Sequence, residues 1–120
     1  MRWWFGCFLP GSATLGEGVK AGYGGIGIVV HKQARIGART IIGPGVVIGG
    51  NGAQLGVPEI GEDVLIGAGA KLLGPIRVGN RCRIGANAVV LTDVPDDCVA
   101  VGVPAIVKAR RREQESSFRD

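Results

Sequence analysis

Ile60-Gly61-Glu62-Asp63-Val64-Leu65-Ile66-Gly67-Ala68-Gly69-Ala70-Lys71 is the stretch whose reading decides the fold. Two six-residue units stand end to end in it. Each opens with Ile-Gly and carries a small or β-branched residue at position five, Val64 and then Ala70. The spacing continues outward through units 72–77, 78–83 and 84–89, with a weaker unit at 90–95. Upstream it runs through 42–47, 36–41, 30–35 and 15–20. An amphipathic strand would alternate every two residues and a helix every 3.6, so period six fits neither. It fits a short strand, a corner and the next short strand, with positions one and five pointing into a narrow core and Gly at position two relieving the corner. Three units close one triangular coil of about eighteen residues. The expected fold is all-β: a single-stranded left-handed parallel β-helix, a hexapeptide-repeat prism of about four coils. The chain divides into an apolar N-terminal cap (1–10), the prism (11–107) and a short basic polar tail (108–120).

Composition supports this reading. Gly occurs 22 times in 120 residues, without the every-third-residue spacing of collagen. Abundant Val, Ile, Leu and Ala argue against disorder. The net charge of +4 gathers partly in Lys108-Ala109-Arg110-Arg111-Arg112, which reads as a solvated tail. No aromatic residue interleaves these charges, so nucleic-acid binding is not expected. Cys7, Cys82 and Cys98 are widely spaced and follow no zinc pattern, and no metal is expected. Free thiols fit a cytoplasmic protein, and Cys82, at position five, reads as a core filler. The apolar start Met1-Arg2-Trp3-Trp4-Phe5-Gly6-Cys7-Phe8-Leu9 is too short for stable membrane insertion.

Two interruptions break the register, at 21–29 and at 49–59, the second rich in Gly, Asn and Pro. In a solenoid such breaks are where function is inserted. His31, the one histidine, sits at position two of its unit, and Gly49 follows eighteen residues later. Both should lie on one edge, one coil apart, with the histidine beside the root of the loop.

The run Gly45-Val46-Val47-Ile48-Gly49-Gly50, the stretch from Ile60 to Lys71, and Val99-Ala100-Val101-Gly102-Val103-Pro104-Ala105 together resemble the hexapeptide-repeat acyltransferases, in particular the serine O-acetyltransferase branch. The resemblance covers roughly residues 10–108. It implies an acetyl-CoA-dependent O-acetyltransferase working as a homotrimer, with a small hydroxyl acceptor, serine or a saccharide. It also implies CoA contacts at Gly50, Ala68 and Ala86. The family's Asp-His pair aligns with Tyr23-Gly24 and its Arg-His-Pro with Gly56-Val57-Pro58. That leaves His31 as the candidate general base, since an imidazole titrates near working pH. A catalytically inactive scaffold is the alternative reading. A γ-type carbonic anhydrase on the same fold would need three zinc histidines, and the chain has one.

Overall fold

Positions one and five of each unit are apolar because both face one interior. The computed structural model describes residues 2–4, 7–9, 14–22, 27–52 and 56–109. Within them Ile36, Ile42, Ile48, Ile60, Ile66, Leu72, Val78, Ile84 and Val90 are buried at position one. Ala34, Val46, Val64, Ala70, Cys82 and Ala88 are buried beneath them at position five. The core is thus a single column of aliphatic layers, and Thr40 is the buried polar residue found in it. Its hydroxyl donates to the Gly61 carbonyl (3.0 Å) and accepts from the Val64 N–H (3.4 Å).

An antiparallel pair, β1 (Arg2–Trp4) and β2 (Cys7–Leu9), precedes the coils. The first coil is β3 (Thr14–Leu15), β4 (Lys20–Ala21) and β5 (Val29–Val30). The second is β6 (Arg35–Ile36), β7 (Ile41–Ile42) and β8 (Val47–Gly49). The third is β9 (Glu59–Ile60), β10 (Leu65–Ile66) and β11 (Lys71–Leu73), and the fourth β12 (Arg77–Val78), β13 (Arg83–Ile84) and β14 (Val89–Val90). Finally β15 (Cys98–Val101) opens a fifth turn and β16 (Ile106–Ala109) folds back on it. Corresponding strands stack in parallel into three faces: a first through β3, β6, β9 and β12, a second through β4, β7, β10, β13 and β15, and a third through β2, β5, β8, β11 and β14.

Register reads out the interruptions. Glu59 pairs with Arg77 and Val29 with Val47, eighteen residues on. Lys20 pairs with Ile41, so the break at 21–29 adds three residues; Val47 pairs with Lys71, so the loop at 49–59 adds six. The corner after β14 is two residues short, since Val94 bridges Val78 and Val99 pairs with Arg83. There the Asp93 carboxylate accepts the Arg77 N–H at 2.9 Å, a bond that a backbone carbonyl supplies elsewhere on this face.

The last two strands form a hairpin. β16 runs on to Ala109 as its returning arm, so Lys108 belongs to the folded body. The hairpin's turn also covers the rim of the third face: Val89 N–H donates to the Gly102 carbonyl (3.0 Å) and Ala105 N–H to the Val89 carbonyl (2.8 Å).

The corners divide two duties that the sequence merges under glycine. Position two is close-packed: a Cβ on Gly67 would stand 2.6 Å from the Ala86 nitrogen of the next coil. Position four is where the backbone turns left-handed, at Gly45 and Gly69 but also at Arg39, Asp63, Arg81, Asn87 and Asp97. On the edge between the first and second faces these residues alternate in sign. Arg39 clamps Asp63 through Nε–Oδ1 (2.9 Å) and Nη2–Oδ2 (3.1 Å), and Arg81 clamps Asp97 in the same way (2.8 and 3.1 Å). The hydrogen bond from Arg39 holds the Asp63 carboxyl below the usual carboxylate range.

Candidate active site

The two edges that border the third face carry His31, Gly50, Ala68 and Ala86. On the edge between the third and first faces, the β5–β8 pairing extends by one residue. His31 N–H donates to the Ile48 carbonyl at 2.7 Å, which sets His31 opposite Gly49 and beside Gly50, as the eighteen-residue spacing predicts. The excursion leaves here and leans on the corner one coil further along. Gly74 N–H donates to the Gly49 carbonyl (2.9 Å), and a Cβ on Gly56 would strike the Pro75 ring at 2.7 Å. A cavity of about 400 Å³ lies at the foot of the loop, lined by Gln33, Val57, Glu59, Pro75 and Arg77 among others.

On the opposite edge, between the second and third faces, Ala68 and Ala86 stack one coil apart, joined by the bond from Asn87 N–H to the Ala68 carbonyl (2.9 Å). Both are exposed. Small residues recur there because position three sits on the outside of a tight corner, where a short side chain leaves the backbone open to a ligand. The structure therefore sets His31 opposite Gly49, the chain neighbour of Gly50, stacks Ala68 on Ala86, and places the two groups on opposite borders of one face. The outward residues of that face are Val29, Val47, Lys71 and Val89. Lys71 was not picked out from the sequence. It is the one charge in that apolar row, and its ammonium donates to the Gly69 carbonyl (3.2 Å), beside Ala68.

His31 is half-buried, and its Nδ1 accepts the Gln33 N–H at 3.0 Å. A backbone N–H can only donate, so in the neutral ring the proton resides on Nε2. To accept a proton at Nε2, the imidazole must first carry its own on Nδ1 and give up the Gln33 bond. Cys82 is buried, its thiol hydrogen-bonded to the Pro95 carbonyl (2.9 Å), and burial raises its pKa, which suits a core residue and not a nucleophile. Among the described residues no three His, Cys, Asp or Glu side chains gather as a metal site, and no helix is long and apolar enough to cross a membrane.

Residues 58–92 match the bacterial transferase hexapeptide family (six repeats). Over 100 residues the chain is 46% identical to the serine acetyltransferase of Synechococcus elongatus, covering 82% of this chain and 40% of that one. The chain is similar to the hexapeptide-repeat acyltransferases. Its prism is the left-handed parallel β-helix of the serine acetyltransferases. A serine acetyltransferase solved in complex with CoA superposes with a TM-score of 0.74 at 42% identity, over 81% of this chain and 40% of that one. The Neisseria gonorrhoeae enzyme in complex with serine gives 0.74 at 41%, over 79% and 39%. The chain spans about two fifths of the length of the relatives it matches. Tyr23 and Gly24, aligned with the family's Asp-His pair, lie outside the described residues.

Proposed function

We propose that this protein transfers an acetyl group from acetyl-CoA to a small hydroxyl acceptor, serine or a saccharide. The observation that carries the reading is the likeness of its prism to the acetyltransferase solved with CoA. The arrangement of the third face agrees with it. The exposed corners at Ala68 and Ala86 leave backbone open to a pantetheine arm, Gly50 does so on the opposite border, and Lys71 offers a cation to phosphate. His31 takes the acceptor's proton at Nε2 once its ring releases Gln33. The acceptor oxygen then attacks the thioester carbon, backbone N–H groups hold the oxyanion, and the departing CoA sulfur recovers the proton.

Three copies close a ring through the second and third faces, whose outward side chains include the exposed Val29 and Ile41. A ring needs two different, mutually complementary surfaces on each copy. The ring works in the cytoplasm. A second reading, a scaffold without catalysis, is favoured by one observation, the occupation of His31 Nδ1 by Gln33.

A CoA-release assay against serine, other amino acids and sugars, paired with a CoA-binding titration, separates the two. Turnover that His31→Ala abolishes while CoA still binds supports the enzyme with His31 as base. Full turnover in His31→Ala removes the base assignment. CoA binding without turnover on any acceptor favours the scaffold, and no CoA binding refutes the reading of the third face.

A further inference from the structure

The first face carries a charge ladder of which the fold uses one member, the Asp93 carboxylate that accepts the Arg77 N–H. From the second coil on, its outward residues are Arg35, Glu59, Arg77 and Asp93, beyond Thr14 of the first. They line a shallow groove of about 790 Å³ that runs the length of the face. The side chains of Arg35, Glu59 and Arg77 enter none of the ion pairs found among the described residues, unlike those on the neighbouring edge. Rungs stand about 4.8 Å apart, the spacing of stacked strands.

The order of signs is plus, minus, plus, minus. Turned end for end, it reads minus, plus, minus, plus. A second copy related by a two-fold axis along the strand direction, its first face against this one with the prism axes antiparallel, therefore meets opposite charge at every rung. Arg35 of one copy faces Asp93 of the other, and Glu59 faces Arg77. A copy laid in the same direction would oppose like charge at every rung. The clamped edge beside the face repeats the same order of signs along the same axis, so it reinforces the preference. The exposed aliphatic side chains Val29 and Ile41 lie on the other two faces, and exposed Leu15 lies at the end of this one in register with buried Ile36, outside the four charged rungs, so the contact through those rungs is polar. Four rungs make a face roughly 15–20 Å long. With six residues per side, about 20 Å wide, that is on the order of 400 Å², less than the roughly 800 Å² per partner of a standard stable interface.

We propose that the first face is a self-association surface, where two copies of this chain meet antiparallel through complementary charge ladders in a weak, salt-sensitive contact. This stands apart from the acetyl-transfer reading, because it uses none of the residues assigned to that reaction.

Sedimentation velocity on the full chain tests it at about 10 mM salt, where charges reach about 30 Å, and at about 1 M, where they reach about 3 Å. The expected result is a heavier, concentration-dependent species at low salt that vanishes at high salt. Arg77→Glu sets like charges at the central rungs and should abolish it. The exchange Glu59→Arg with Arg77→Glu reads plus, plus, minus, minus, which is again complementary when reversed, and should restore it. Circular dichroism checks that each variant is folded. The same species at both salts would overturn the proposal and leave the groove to another occupant. So would an Arg77→Glu protein that still associates, or a folded double exchange that does not.

Discussion

Replacing Gly67 by alanine tests the division of labour at the corners most directly. The new Cβ would lie 2.6 Å from the Ala86 nitrogen and 2.9 Å from its Cα, atoms of a neighbouring backbone that no rotamer can move aside. Ordinary contact begins near 3.4 Å, so the two coils must part locally by about 0.8 Å. Two bonds span that gap: Gly67 N–H to the Ile84 carbonyl (2.8 Å) and Asn87 N–H to the Ala68 carbonyl (2.9 Å). Stretched by about 0.8 Å, both pass the limit of about 3.2 Å for a good N–H···O bond. At about 1 kcal/mol net for each bond, the cost is about 2 kcal/mol, within the range of about 1–3 kcal/mol for overpacking. Gly45→Ala should cost about 1–2 kcal/mol for a different reason. Its Cβ has room, but φ is +73°, where L-residues are penalised. Gly49 has neither constraint, with nothing within 4 Å, and Gly49→Ala should leave stability unchanged or raise it by about 0.5 kcal/mol through the unfolded chain. Urea unfolding of the three variants measures the differences. If Gly67→Ala matched Gly49→Ala, close approach could not be the reason for glycine at position two.

Three further outcomes follow from the same structure. Asp63→Asn should destabilise at neutral pH: the Asp63 carboxyl is depressed by Arg39, so its contribution is complete above the unfolded carboxylate pKa and is lost as pH falls through the folded one. Unfolding midpoints of the variant and the parent protein should therefore converge as the pH drops below about 4. Thr40→Val should cost about 1–2 kcal/mol in urea unfolding, because the Val64 N–H loses its buried acceptor. A thiol reagent under native conditions should label half-buried Cys98 well before Cys82, whose thiol is buried and raised in pKa, and denaturant should erase the difference.

The sequence carried the parts of this fold that depend on side-chain size. Ile at position one and Ala or Val at position five mark the core wherever the unit repeats, and the spacing from His31 to Gly49 needs only coil length to place both on one edge. Backbone conformation was less legible. Position four is left-handed whether it holds Gly69, Arg81 or Asn87, so no single residue type announces it, and glycine at position two drew the eye to a corner whose demand is for space. The two-residue contraction after β14 was hidden because the Asp93 side chain does the work of a backbone carbonyl. The returning strand β16 has no hexad pattern, since one arm of an antiparallel pair at a rim is not a coil. At the site, the tie between His31 and Gln33 depends on local turn geometry, and Lys71 gains meaning only when stacking sets it in a row of valines.

The reversed strands at the two ends of the stack carry a consequence for the fate of the molecule. In a parallel coil the last rung offers N–H and C=O groups in the register that the next coil would use, so a bare rim is a growth tip. Here β1 runs antiparallel to β2 at one end, while β16 and the turn at 102–105 occupy the other. On the third face at one end, and on the second and third at the other, the rim therefore offers an incoming chain no parallel strand to copy. A repeat that could in principle polymerise without limit is thereby held to a countable length, and shortening the chain before Gly102 would be expected to turn a discrete particle into a fibre-former.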